Sequence, residues 1–197
     1  MKARVALAAL VSIVGVASIG AQAQLIVPKV GAPGQLITTA LYNESQQYAA
    51  WLMTAFDSIP ADKYGFRPTP AQMSIGAVAA HLEFANYMLC AFFSGTPHPM
   101  TAKDSLPDSV KARWPKDTLT ARLRASFAFC KAAFDKLSDA NLTDSVATGP
   151  PFRAKKNVRA LLVIAFATDL ADHYSQMANY MRLNGMIPPS SLPPSKS

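Results

Sequence analysis

The stretch from Asn157 to Gly185, NVRALLVIAFATDLADHYSQMANYMRLNG, contains no proline and has its only glycine at its end. Its apolar residues recur in steps of three and four, which is typical of an amphipathic helix, and the terminal Gly185 followed by two prolines marks where that helix ends. The apolar face also carries four polar or amphipathic residues: Asp169, His173, Gln176 and Tyr180. The sequence therefore predicts a long helix with an unusual polar half on its inner face.

Three upstream segments show the same periodicity, at about 36–59, 74–94 and 118–138. They are separated by connections at 60–73, 95–117 and 139–156, each of which contains prolines that interrupt a helix. No segment has the alternating pattern of a strand. Four helices without strands predict an all-α four-helix bundle.

Length and composition fit one domain with one core, because the chain has 197 residues of which 50% are hydrophobic and only 16% are charged. We place this domain at residues 34–189. The residues beyond it, 190–197, are short, polar and proline-containing, and we expect them to be a disordered tail.

The amino terminus has the three parts of a secretory signal peptide. Lys2 and Arg4 precede an uncharged apolar run from 5 to 19, and small residues at Ala21 and Ala23 form a cleavage site. The alternative is an uncleaved membrane anchor, but the run is shorter than the roughly 20 apolar residues that a spanning helix needs. We predict a signal peptide at 1–23, a periplasmic or secreted protein, and no stable membrane span after cleavage.

The charge distribution and the motifs missing from the sequence argue against several functional classes of protein. The net charge is +7, and removing residues 1–23 leaves the chain mildly basic. Its one local basic cluster, at 153–159, lacks interleaved aromatic residues, so we expect no nucleic-acid binding. A nucleophile elbow, a phosphate-binding glycine loop, a dinucleotide fingerprint and a His-Glu-x-x-His pair are all absent from the sequence.

Asp169 and His173 lie one turn apart on the last helix, and His81 lies near the apolar face of the second. Burying such groups unpaired costs several kcal/mol, so they must be hydrogen-bonded, ion-paired or bound to a metal. Helix bundles build metal sites from such facing side chains. The spacing leaves two interpretations open: a metal site, or a structural pair of Asp169 with His173 or with an arginine.

The two cysteines have a separate role. Cys90 lies nine residues after His81, about 13.5 Å along a helix that rises about 1.5 Å per residue, so it cannot share a metal with that histidine. Cys130 lies in the apolar stripe of the third helix. An even cysteine count in an exported chain favours a Cys90–Cys130 disulfide over two free buried thiols.

Three segments carry a resemblance to a known family. They are IPADKYGFRPTP at 59–70, SIGAVAAH at 74–81, and DLADHYSQMANYMRLNGMIPP at 169–189. In this order, and on these helices, they resemble the DinB-like superfamily of metalloenzymes, in particular its exported members. The resemblance covers nearly all of the chain after residue 23.

The resemblance implies an up-down-down-up bundle that holds a divalent metal through one histidine of the second helix and two groups of the last. His81 and His173 match two ligand positions, and Asp169 stands where the family usually has histidine. Zinc is the first choice of ion, with nickel, manganese or iron(II) also compatible with two imidazoles and a carboxylate.

The resemblance further implies a metal-dependent hydrolase or a thiol-dependent transferase acting on a small molecule that it does not identify, and a homodimer. Gln176 and Tyr180 would then orient the ligands or the substrate, or else serve only in helix packing. Arg67, with its neighbours Phe66 and Pro68, is interpreted as closing the fold. The competing function is a structural or ligand-binding bundle without a functional metal.

Overall fold

The computed structural model of the protein describes Lys29, residues 31–150 and residues 152–193. The predicted signal peptide at 1–23 lies outside the described residues. The helices are α1 (Leu36–Ser58), α2 (Ile75–Ser94), α3 (Asp108–Lys111), α4 (Lys116–Phe134) and α5 (Arg159–Leu183), and the strands are β1 (Ser145–Ala147) and β2 (Lys156–Val158). The four long helices confirm the predicted all-α bundle.

The directions of α2 and α4 follow from their contacts. Arg122 of α4 bonds Glu83 of α2, and further along both helices Cys130 is joined to Cys90. Residue numbers rise together in these two pairs, so α2 and α4 run parallel.

The other two helices run the opposite way. Phe166 near the start of α5 contacts Phe93 near the end of α2, whereas His173 further along α5 contacts His81 nearer the start of α2. α5 is therefore antiparallel to α2.

α1 packs against both α5 and α4. Tyr42 of α1 contacts Phe134 near the end of α4, and Asp57 pairs with Arg124 nearer its start. α1 is thus antiparallel to α4, which gives the up-down-down-up order that the family resemblance implied.

Parallel neighbours need a connection that returns along the bundle, and residues 95–115 provide it between α2 and α4. We call this segment the crossover. The sequence indicated only a polar stretch here, but the structure contains a 3-10 turn at Ala102–Ser105 and the short helix α3. The periodicity of a single turn is too brief to detect in a sequence. The crossover brings α3 beside the first half of α2.

α2 is the central helix of the core. Leu82, Leu89 and Phe93 are fully or almost fully buried, and Ser74 caps the helix by accepting a hydrogen bond from the Ala77 N–H. Within the described residues, α2 is the one helix long and apolar enough to cross a membrane, and 67% of that stretch is buried inside the bundle. This burial is typical of the core helix of a bundle.

The predicted disulfide is confirmed, because Cys90 and Cys130 are bonded to each other. Both are fully buried, so neither is a free thiol at the surface. A link across a sequence separation of 40 residues typically stabilises a fold by about 2–4 kcal/mol.

Two smaller features differ from the predictions. β1 and β2 form an antiparallel pair in which Val146 lies opposite Asn157; three-residue strands are too short to show alternation in a sequence. Of the tail predicted as disordered, 190–197, residues 194–197 lie outside the described part of the chain; before them, Pro189–Ser191 form a 3-10 turn, and the Ser190 N–H donates to the Tyr174 hydroxyl. That contact fixes the turn against α5.

Candidate metal centre

Asp169 and His173 face the bundle interior from α5, as their spacing predicted. The His173 side chain is 10% exposed and that of Asp169 is 27% exposed. Their nearest atoms, His173 Nε2 and Asp169 Oδ1, are 3.7 Å apart, which is longer than a hydrogen bond. The two side chains are therefore close enough for an ion pair when His173 is protonated, but they form no hydrogen bond.

His81 completes the group from α2. Its ring centroid lies 4.9 Å from that of His173. His81, Asp169 and His173 each offer a ligand atom, and these atoms all lie within 4.8 Å of one another. We call these three residues the His/Asp cluster. The structure thus brings together all three residues that the sequence singled out as metal ligands.

Each imidazole contacts, through its Nδ1 atom, a side chain that is not part of the cluster. His81 Nδ1 lies 3.3 Å from Asp108 Oδ2, and His173 Nδ1 lies 3.0 Å from Gln176 Oε1. Because the partner atoms are a carboxylate and an amide oxygen, which accept, each ring would donate from Nδ1, and in its neutral form this leaves the Nε2 lone pair for a metal. This is the arrangement in which outer partners orient metal-binding histidines.

Gln176 and Tyr180 form a short chain behind His173. The Gln176 amide nitrogen donates to the Tyr180 hydroxyl over 2.9 Å, and that hydroxyl donates to the Met73 carbonyl over 3.0 Å. The Met73 carbonyl precedes α2, so this chain also joins α5 to the loop before α2. Gln176 therefore contacts His173 directly, whereas Tyr180 is linked to it only through Gln176 and is also packed in the core.

The electrostatics of the cluster favour a cation. Asp169 Oδ2 is buried and has no hydrogen-bond partner. Burial raises the pKa of Asp169, and the nearby His173 and His81 act in the opposite direction. The hydrogen bond to Asp108 raises the pKa of His81. A carboxylate oxygen without a partner beside two free imidazole nitrogens is a donor set that fits zinc and similar divalent ions.

Asp108 is the site residue that the sequence did not reveal. It lies 27 positions after His81 in the crossover, at the first residue of α3. No spacing rule connects it with His81, because their contact depends on the path of the crossover across the bundle.

A chain of charged side chains anchors the crossover. Lys111 Nζ lies 3.7 Å from Asp108 Oδ1 and 3.7 Å from Glu83 Oε2, and the Lys111 side chain is only 1% exposed. Arg122 bonds both Glu83 and Asp104. Buried charges are tolerated when they are paired in this way. The chain holds α3, and with it Asp108, against α2.

A cavity of about 610 Å3 opens beside the cluster. His173, Gln176 and Tyr180 form part of its wall, with Met73 and the exposed Asp172. A small molecule in this cavity would reach the edge of the candidate metal centre.

The family model for the DinB superfamily matches residues 46–177, which is well over half of the chain. The chain belongs to the DinB superfamily. The match runs from the middle of α1 to the last third of α5 and includes the whole His/Asp cluster. No curated protein matches the chain.

Solved structures show the same DinB-like fold. A DinB-like protein from Bacillus cereus aligns with a TM-score of 0.57 and 17% identity, over 75% of this chain and 93% of its own. A mutant of the mycothiol-dependent maleylpyruvate isomerase aligns with a TM-score of 0.56 and 10% identity, over 73% of this chain. The DinB domain described here spans 60% of that isomerase.

Proposed function

We propose that the His/Asp cluster holds one divalent cation, with zinc as the first choice, and that the protein is an exported metal-dependent enzyme of the DinB superfamily. The observation that carries this proposal is the buried, unpartnered Oδ2 of Asp169 beside two imidazoles whose outer nitrogens are already engaged. A cation held among these three side chains, whose ligand atoms lie within 4.8 Å of one another, would neutralise the Asp169 carboxylate and engage both imidazoles.

The protein's own residues would prepare the site. Asp108 and Gln176 orient the two imidazoles through Nδ1, and Tyr180 fixes Gln176. A divalent cation held there supplies Lewis-acid chemistry for hydrolysis or for activating a thiol. The cavity beside His173 offers room for a small substrate.

We propose two reaction classes for testing, a hydrolase and a thiol-dependent transferase. The second is supported by the name of the mycothiol-dependent isomerase, whose fold this protein shares at low sequence identity. Fold similarity alone does not transfer an activity, so both classes rest on the cation site. The predicted homodimer and the absence of nucleic-acid partners stay predictions.

Export is supported by two independent features. Residues 1–23 have the composition of a signal peptide, and the Cys90–Cys130 disulfide is typical of proteins from oxidising compartments. Mass spectrometry of the protein from the periplasm or medium would test this proposal: an amino terminus at residue 24 is expected, and an intact Met1 would contradict cleavage.

The metal proposal is tested by elemental analysis of protein purified without chelators or a histidine tag. We expect about one divalent ion per chain, lost in His81→Ala and in Asp169→Asn. Matched controls are His98→Ala, which removes an exposed histidine, and Asp135→Asn, which removes an exposed carboxylate just after the end of α4. Circular dichroism checks that each variant keeps its helices.

The structural alternative predicts a different pattern. If the cluster only stabilises the bundle, Asp169→Asn lowers the melting temperature and no variant changes metal content. Absence of metal after adding zinc, nickel, manganese or iron(II) would contradict the proposed function, as would metal retained after both His81 and His173 are replaced.

A further inference from the structure

A second cavity, of about 490 Å3, lies at the amino end of α2. It shares Gln72 and Met73 with the cavity beside His173, so the two spaces adjoin along this loop. Its wall includes Asp108 together with Arg67 and Arg113. We call this space the arginine pocket.

Both guanidinium groups of the arginine pocket are free to bind an anion. Arg67 and Arg113 are exposed, and neither forms an ion pair with a carboxylate in the described part of the chain. Arg67 has one contact with the Pro70 carbonyl at 3.5 Å, the outer limit of a hydrogen bond. The expectation that Arg67 only closes the fold therefore does not account for its exposed charge.

The one carboxylate in the pocket wall does not neutralise these arginines. Asp108 is occupied on one oxygen by His81 at 3.3 Å and on the other by Lys111 at 3.7 Å. Its charge is thus already shared with two basic groups. The arginines leave the pocket positively charged.

The first turn of α2 adds to the positive electrostatic potential of the arginine pocket. Ser74 and Ala77 line the pocket, and the amino end of a helix carries a partial positive charge. The backbone N–H of Ala77 is bonded to the Ser74 hydroxyl, so the helix contributes its field rather than a free donor. The direct contacts to an anion would come from Arg67 and Arg113.

The position of the pocket relates it to the His/Asp cluster. Ala77 precedes His81 by one turn of α2, and Asp108 bridges from the pocket wall to the His81 ring. We propose that the arginine pocket binds a carboxylate or phosphate group of the substrate and places the rest of the molecule at the cluster. This assignment of an anionic substrate class rests on the proposed function.

Arginine suits such a role because its planar guanidinium binds carboxylate and phosphate through two parallel hydrogen bonds. The test uses the purified chain with succinate and inorganic phosphate as probes, titrated by isothermal calorimetry with and without bound zinc. We expect Arg67→Gln and Arg113→Gln each to weaken binding of the preferred probe by about tenfold. The two probes distinguish a carboxylate site from a phosphate site.

The matched control is Arg153→Gln. Arg153 is also exposed, but its neighbour Phe152 contacts Phe92 near the last turn of α2, at the opposite end from the pocket. Arg153→Gln should bind the probes as the unaltered protein does. Equal binding by the unaltered protein and both pocket variants, or no binding of either probe, would overturn the proposal.

The two proposals fail in distinguishable ways. Probe binding that needs zinc and His173 but neither arginine would place the anion on the metal, which overturns the arginine pocket and supports the metal centre. Arginine-dependent binding in a protein that takes up no metal would keep the anion site and contradict the proposed enzyme.

Discussion

The chemistry around α2 changes between its first and last turns. Near its start, His81 is half-buried, contacts Asp108 of the crossover and lies in one cluster with Asp169, whose Oδ2 has no hydrogen-bond partner. Near its end, Cys90 and Phe93 are fully buried, one in a disulfide and the other in an aromatic cluster with Phe134. The same helix therefore serves stability at one end and carries the proposed metal site at the other, and changes at the two ends should have separable effects.

The largest effect should come from the aromatic cluster. Phe166 is 1% exposed and contacts Phe93 and Phe134, so Phe166→Ala leaves a cavity and should lower the free energy of unfolding by about 3–5 kcal/mol. Urea unfolding of the variant and the unaltered protein measures this loss in the free energy of unfolding. The control is Leu161→Ala on the same helix, where the side chain is 52% exposed and the loss should be about 0.5 kcal/mol or less.

Measuring the metal content of Phe166→Ala adds a second readout to its unfolding measurement. Phe166 lies one turn before Asp169 on α5 but packs against Phe93 and Phe134, so folded Phe166→Ala should hold as much metal as the unaltered protein. A folded variant without metal would show that the two ends are coupled.

The second effect concerns the disulfide at the same end. Replacing both cysteines, Cys90→Ser with Cys130→Ser, should lower the free energy of unfolding by about 2–4 kcal/mol because the unfolded chain gains freedom. Denaturant unfolding with and without reductant checks this. Reductant should lower the stability of the unaltered protein but not that of the double variant; a response of both would contradict the explanation.

The third effect concerns the binding end and rests on the proposed metal. Asp108→Asn weakens the hold on His81 and should reduce metal affinity by about 10–100-fold, and because Asp108 also pairs with the buried Lys111, it should lower the stability of the metal-free protein as well. Competition with a chelating dye measures the affinity. Asp135→Asn, which removes an exposed carboxylate just after the end of α4, should leave the affinity unchanged. An unaltered affinity in Asp108→Asn would remove Asp108 from the site.

The smallest effect lies at the outer end of the charge chain. The Thr101 backbone N–H, with the Thr101 hydroxyl and Arg122, lowers the pKa of Asp104 to about 2. A carboxylate with a pKa below its ordinary 3.8 stabilises the fold above about pH 4 and loses that effect as the pH falls toward 2. Asp104→Asn should therefore cost about 1 kcal/mol or less at pH 7.

Urea unfolding at pH 7, 4 and 2.5 checks this pH dependence. The difference between Asp104→Asn and the unaltered protein should shrink as the pH falls from 4 to 2.5. A difference that stays constant with pH would mean that the charge of Asp104 contributes nothing.

The sequence predicts the long helices and the three cluster residues well, because these depend on local periodicity. Asp169 and His173 lie one turn apart on one helix, and His81 falls near the inner face of another. Asp108 and Lys111 were missed, because their contacts depend on how the crossover returns along two parallel helices. The short strands and the turn at Pro189–Ser191 were missed because elements of three residues are too short to show a periodic pattern in the sequence.

The disulfide also has a topological consequence. Cys90 and Cys130 close a covalent ring that contains the whole crossover, including Asp108 and Lys111, while His81 lies outside it. If the crossover detaches from α2, the ring limits how far Asp108 can move away. A protease cut at the exposed residues 97–99 would leave both fragments joined by the sulfur bridge. The bridge thus acts as a tether that keeps the partner of His81 within reach.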